Sequence, residues 1–445
     1  MKSNFSLIAV LAILTLVSAP AAPAAGNHRF IVRTNLGSGL LQSVCLLNGC
    51  TVVGAIDGTL NQVFLLTAPE WINANTLLGV LRLTPGVVDA ELDQVLSLVG
   101  ELNAATEIPG GLSDNSPVNY FGTTVWNGYA NQPAASIVNV QAAHSQFQAS
   151  GAGIVADIDT GVDPNHPALK SALLTGYDFT RNQAGASEIN DLNPSDFPVF
   201  PPTGCTSSGC PQAAVVNQSS AAILDQSSAA ILDQNVQYAA FGHGTMVMGV
   251  IHLVAPNAQL LPLKAFGSNG TGNLSDILRA IYYAVQNGAN VINMSFDFTS
   301  SSQELTNALN YASGQSVICA ASAGNEGQGP PTLVYPAALQ SDVMGVASTS
   351  DTDTRSSFSN YGDAIVWVAA PGEGVVTTYP FGTYSAGWGT SFSAPFVSGG
   401  AALMRSVTTS LNEATAANAM AHAKNIGPNI GNGRIDLVQA LAALP

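Results

Sequence analysis

Val155-Ala156-Asp157-Ile158-Asp159-Thr160-Gly161 is the stretch on which the fold turns. From Gly153 onward it is nearly all apolar, as in a strand buried on both faces of a parallel sheet. It ends in a glycine-containing turn that carries a carboxylate. In open α/β sheets, reactive groups stand at the carboxyl ends of strands, where turns present them. Asp159 occupies that place. Two later segments are of the same kind: Gly242-His243-Gly244-Thr245 and Gly389-Thr390-Ser391-Phe392-Ser393-Ala394-Pro395. Each sets one reactive side chain among small or apolar neighbours. Together they supply a carboxylate, an imidazole and a hydroxyl. A serine hydroxyl is a weak nucleophile at neutral pH. It needs an adjacent base, and the base needs a carboxylate to fix its tautomer.

His243 opens a predicted helix whose buried stripe is Val247, Val250, Ile251 and Val254. Ser391 begins another, so its N–H faces the side on which negative charge develops. Pro395 removes one hydrogen bond and bends the start of that helix. Gly399 and Gly400 permit tight packing. Asp-Thr-Gly also marks aspartic peptidases, but those need two such carboxylates, and the chain has no second Asp-Thr-Gly or Asp-Ser-Gly. A lipase elbow needs Gly-x-Ser-x-Gly, and Ser393 fills the fifth position here. Of the six histidines, only His243 stands in a Gly-His-Gly-Thr setting.

The order Asp, His, Ser, with its neighbours, resembles the subtilisin-like (subtilase, S8) serine peptidases. The resemblance covers nearly everything from 155 to 444. It includes Ile292-Asn293-Met294-Ser295, Ser322-Ala323-Gly324-Asn325-Glu326-Gly327, Tyr335-Pro336-Ala337, Ser357-Phe358-Ser359-Asn360-Tyr361-Gly362, Ala370-Pro371-Gly372 and Gly433-Arg434-Ile435-Asp436. It implies an α/β fold with a three-layer, doubly wound, mainly parallel sheet, preceded by a small α+β propeptide domain. It implies Asp159, His243 and Ser391 as catalytic residues. The Asn325 side chain and the Ser391 N–H become oxyanion donors. Ser295, Phe296, Asp297 and Ser322, Ala323, Gly324 wall the pocket for the residue before the scissile bond. Many relatives carry glycine where Asp297 stands, and a second where Phe298 stands. The carboxylate and the ring either favour basic residues, narrow the groove, or point outward. Many subtilases bind calcium, but no transferable ligand loop is found, and the chemistry requires no cofactor.

The resemblance implies a secreted serine endopeptidase, made as a self-processing zymogen, that hydrolyses proteins through an acyl-enzyme. Asp157, and Met248 where a small residue is usual, keep open a catalytically inactive binding protein on the same fold. An esterase or peptide ligase on the same triad is the other alternative.

Bulk properties agree with an exported globular enzyme. The 445 residues are 47% hydrophobic and only 9% charged, enough for a large core. The net charge of −16 argues against nucleic acid as a partner. The expected partners are protein or peptide substrates and the chain's own propeptide, with the enzyme a monomer. Lys2, the apolar run 7–17 and Ala22-Pro23-Ala24 read as a secretory signal peptide over 1–25. The run is too short to span a bilayer, so no membrane contact is expected after its removal. The location is extracellular or periplasmic.

Residues 26–103 read as the propeptide. Strands are expected at Arg29-Phe30-Ile31-Val32, Gln62-Val63-Phe64-Leu65-Leu66 and Val87-Val88-Asp89-Ala90-Glu91-Leu92, with a helix over 71–83. The peptidase follows over 104–445. Its start, 104–131, reads as linker, with maturation falling between 99 and 120 and a first helix near 138–149. An insert at 191–240 contains Ser-Ser-Ala-Ala-Ile-Leu-Asp-Gln twice in tandem, at 219–226 and 227–234, and reads as a surface arm. Cys45 with Cys50, and Cys205 with Cys210, could each close a small loop, while Cys319 reads as a buried apolar residue. No further domain is expected after the peptidase. Finally, alternation puts Asp157 and Asp159 on one face. Two close carboxylates need compensation, and Lys264 is expected to pair with Asp157.

Overall fold

The strand ending in Asp159 and its neighbours are buried on both faces. Such strands need a helical layer on each side, and the structure supplies both. The computed structural model describes residues 27–98, 109–193, 214–215 and 236–445. An eight-stranded sheet runs in the order Gln183–Ala184, Tyr177–Asp178, Gln259–Lys264, Ile154–Asp159, Val291–Met294, Ile318–Ser322, Met344–Thr349, Val368–Pro371. Only the first pair is antiparallel. Side-chain alternation splits the core. Val155 joins the layer of helices His243–Val254 and Thr390–Val407, while Ala156 and Ile158 join that of Leu274–Gln286 and Gln303–Gly314. This is the expected three-layer α/β architecture.

The helix His243–Val254 departs from the expected single stripe: all twelve of its residues are buried. It lies between the sheet, the helix Thr390–Val407 and the strand Val375–Tyr379. The Thr377 and Thr378 hydroxyls donate to the Met246 and Thr245 carbonyls at 2.6 and 2.7 Å. Gly249 makes this possible, since a Cβ there would lie 2.2 Å from both hydroxyl oxygens. Gly399 sits against Val254 in the same way.

Residues 104–131 were expected as linker, yet the described part holds a hairpin, Pro117–Tyr120 with Thr123–Trp126, and a short helix, Asn127–Ala130. The Gly and Asn residues mark its turns, but Val125 and Tyr129 between them are core residues. The Tyr129 hydroxyl donates to the Gly249 carbonyl at 2.8 Å. The helix expected near 138–149 forms over Val140–Phe147, after another at Pro133–Ile137.

Ahead of this stands a four-stranded antiparallel sheet, in the order Thr51–Ala55, Val63–Pro69, Asn27–Thr34, Val87–Leu92. Helices Ser38–Asn48 and Ala74–Leu83 cover one face, and a Cys45–Cys50 disulfide closes the first of them. Ile31, Val63 and Leu65 belong instead to the large core that contains Ile281 and Tyr282. Polar contacts reinforce this junction. Arg33 donates to Glu304 at 2.7 Å, and Asp93 accepts from Arg29 at 2.7 Å and from the Ser275 N–H at 2.8 Å. Glu91 accepts from the Ser302 hydroxyl at 2.5 Å and the Gln303 N–H at 3.2 Å, at the start of Gln303–Gly314. Val95–Ser97 pairs antiparallel with Thr271–Asn273. Cys319 is buried and free. The signal segment, Cys205 and Cys210, and the octad repeat lie outside the described residues.

Phe396 is fully buried where the serine-bearing helix meets the core. Phe396→Ala is expected to lower unfolding free energy by about 3–5 kcal/mol. Denaturant titration followed by near-UV dichroism measures it.

Candidate active site

Asp159 ends its strand, and Thr160 turns the chain so that its own N–H donates to Asp159 Oδ1 at 2.6 Å. His243 is the first residue of its helix, after Gly242 at φ 91°. Its Nδ1 lies 2.7 and 2.8 Å from the two Asp159 oxygens. A carboxylate only accepts, so the proton sits on Nδ1 and Nε2 is left as a base. Both side chains are buried.

Close backbone approach sets this distance. A Cβ on Gly244 would lie 2.0 Å from the Gly161 carbonyl oxygen. Glu188, fully buried and missed by the sequence reading, ties the two segments together. It accepts from the Thr160 hydroxyl at 3.0 Å, the Gly242 N–H at 2.8 Å and the Thr245 hydroxyl. Those hydroxyls in turn accept the Gly244 and Asp163 N–H groups at 3.0 and 2.7 Å. One carboxylate thus organises both the Asp159 turn and the His243 helix. Burial pushes the Glu188 carboxyl up to about 8, and its donors and the Lys264 charge oppose that push. No motif marked Glu188 in the sequence; it precedes the insert in a short 3-10 turn, Glu188–Asp191.

The expected Asp157–Lys264 pair does not form. Lys264 stands in register with Asp159, and Pro262 stands opposite Asp157. Its ammonium donates to Asp191 and to the Thr160 and Phe266 carbonyls, each at 2.7 Å. Among the described residues no cation pairs with Asp157. Burial, then repulsion from Asp159, holds its carboxyl well above the usual carboxylate range. Asn293 donates to its Oδ1 at 2.9 Å.

Ser391 lies in the first turn of Thr390–Val407. Its hydroxyl donates to the Ser295 carbonyl at 3.1 Å, and the Ser295 hydroxyl returns a bond to the Ser391 carbonyl at 2.8 Å. The neighbouring Phe392 ring lies 5.8 Å from the His243 ring. Asn325 Oδ1 accepts from the Thr390 N–H and hydroxyl at 2.8 and 3.0 Å. This fixes the amide and leaves its NH2 group without a partner among the described residues, on the residue facing the start of the serine helix.

The pocket segments separate by role. Phe296 packs on Phe266, and the Ser322 hydroxyl and Ala323 are buried, so these side chains belong to the core. Asp297 and Gly324 face each other: a Cβ on Gly324 would lie 3.0 Å from Asp297 Oδ2. Phe298 exchanges backbone bonds with Tyr335 at 3.0 and 2.8 Å. Among the described residues, no three His, Cys, Asp or Glu side chains gather as metal ligands.

Two substitutions test this geometry. Gly244→Ala forces the helix off the Asp159 turn and is expected to lower peptide hydrolysis by about 10²-fold, read as kcat on a chromogenic peptide. Glu188→Gln should lower kcat more than it changes KM. Protonating Glu188 displaces one of its three donors. Wild-type turnover therefore rises as pH increases through about 8, and a pH–rate profile of Glu188→Gln lacks that rise.

A model of the subtilase family, peptidase S8, matches residues 151–437. Thermitase of Thermoactinomyces vulgaris is 32% identical, over 68% of this chain and 93% of its own sequence. Subtilisin Savinase of Lederbergia lenta is 36% identical, over 45% of this chain and 77% of its own. A solved lanthipeptide protease shares the fold with a TM-score of 0.53 at 24% identity, covering 70% of this chain and 94% of its own. The chain belongs to the subtilase family and is a subtilisin-like serine endopeptidase.

Proposed function

We propose that Asp159, His243 and Ser391 form its catalytic triad, with the Asn325 side chain and the Ser391 N–H as oxyanion donors. The 2.7 Å bond from His243 to Asp159 carries this reading, because it leaves Nε2 free as the base. For attack, the Ser391 hydroxyl turns from the Ser295 carbonyl to Nε2; such bonds often tighten only with substrate bound. Ser391 Oγ then bonds to the peptide carbonyl carbon as its proton passes to His243. The Asn325 and Ser391 donors hold the oxyanion. His243 gives the proton to the leaving amine as the C–N bond breaks. Water, deprotonated by His243, attacks the acyl-enzyme, and the proton returns to Ser391 as the ester bond breaks. In this reading the chemistry needs no cofactor, and any calcium would serve stability.

The same reading makes the protein a secreted monomer with a signal peptide over 1–25 and an inhibitory propeptide ending near 103. The contacts of Arg33, Glu91 and Asp93, and the pairing of Val95–Ser97 with Thr271–Asn273, support the propeptide part of it. Such an added strand occupies an edge of the kind that extended peptide substrates use. Among the described residues no helix is long and apolar enough to cross a membrane.

Wild type and Ser391→Ala, expressed as the full chain, separate this reading from its rivals. Wild type is expected to shorten itself between 99 and 120, by intact mass, and to degrade casein. Ser391→Ala stays full length and leaves casein intact. Equal digestion by both would refute Ser391 as the nucleophile.

A further inference from the structure

Two carboxylates share one small space beside the nucleophile. Gly324 adopts φ 93°, and a Cβ on it would meet Asn360 Nδ2 at 2.3 Å, Glu326 Oε2 at 2.9 Å and Asp297 Oδ2 at 3.0 Å. The Gly324 N–H bonds to the Thr390 hydroxyl at 3.2 Å, so this space adjoins Ser391 and Asn325. Asn360 donates to Glu326 at 2.7 Å, but Asp297 accepts no hydrogen bond from any described residue. Neither acid takes part in an ion pair among the described residues. Arg355 is occupied by the Ser356 and Ser359 carbonyls and lies over the Tyr361 ring at 4.5 Å. Every other acid close to the reactive groups has a partner: His243 for Asp159, the Asn293 amide for Asp157, three donors for Glu188. Asp297 has none among the described residues. Burial, then the Glu326 charge, pushes the Asp297 carboxyl up to about 8. A like-charged pair held apart from any cation is costly unless something brings one.

We infer that Asp297 and Glu326 form a cation-accepting pocket that selects lysine or arginine before the scissile bond. The inference rests on the triad and groove assigned above. A cationic side chain entering between the walls supplies the missing charge. An apolar one leaves both acids desolvated and unpaired, which is how polar sites reject the wrong ligand. The chain's own composition fits. It has no lysine or arginine between Arg82 and Lys170, nor between Arg181 and Lys264, so the junction after the N-terminal domain and the long insert offer no preferred bond. Maturation between 99 and 120 then cuts a bond this pocket does not favour. Tethering raises the effective concentration of that bond, so the cut is made within one molecule.

The test uses self-matured enzyme from the full chain and blocked tetrapeptide nitroanilides that differ only in lysine, arginine, leucine or phenylalanine before the scissile bond. Wild type is expected to favour lysine or arginine over phenylalanine by at least about tenfold in kcat/KM. Asp297→Asn and Asp297→Gly should each lower that ratio by about tenfold or more, chiefly through KM for the basic peptides. Wild type favouring leucine or phenylalanine, or a ratio unmoved by both substitutions, overturns the inference while leaving the peptidase intact. Failure to cleave any peptide, or casein, would overturn the triad reading and this inference with it.

Discussion

The bond between Asp159 and His243 depends on two backbones touching. The Asp159 turn and the His243 helix start meet at Gly161 and Gly244, where a single methyl group would not fit. The bond fixes the histidine tautomer, and the tautomer fixes which ring nitrogen is free to accept a proton. The rest of the architecture holds that contact in place. Parallel strands bring their carboxyl ends to one edge, and the layer above the sheet buries the whole histidine helix. The strand Val375–Tyr379 clamps that helix through two threonine hydroxyls.

Buried carboxylates are numerous around this edge, and the protein handles each differently. Asp159 has an imidazole. Asp157, on the same strand face, is pushed well above the usual carboxylate range by burial and by Asp159, with Asn293 on its Oδ1. That asparagine also donates to Ser295, whose hydroxyl reaches the Ser391 carbonyl, so Asp157 is linked through two hydrogen-bonded side chains to the Ser391 segment. Glu188 is balanced by three donors from the two segments it joins. Lys264 supports the same corner through Asp191 and two carbonyls. Asp297 lies beside Glu326 and accepts no hydrogen bond from any described residue.

The N-terminal domain uses the helix layer on the far side of the sheet from His243. Its sheet lends Ile31, Val63 and Leu65 to the enzyme's own core, and its acids meet the amino ends of two helices. Asp93 and Glu91 accept from groups at those helix starts, where backbone N–H groups lack helical partners and negative charge is favoured. The junction therefore combines apolar burial with polar contacts at defined points.

The sequence by itself determined the parallel sheet, the three reactive segments and the two helices that begin with His243 and near Ser391. Apolar runs, glycine turns and helix starts are local signals, written within a few residues. It also determined that Asp157 and Asp159 share a face, because alternation along a strand is local too. Tertiary structure alone decided which groups answer those charges. Lys264 lies two residues along its strand from the position opposite Asp157, and that offset depends on how two distant strands align. Glu188 carries no motif, and its role exists only because the chain folds its turn between two segments remote in sequence. The segment before residue 131 looked like linker because its composition is that of turns. Tyr120 and Tyr129 became core only once a helix stood opposite to receive them. Charge compensation and core membership are properties of neighbours in space, and the chain's order does not name those neighbours.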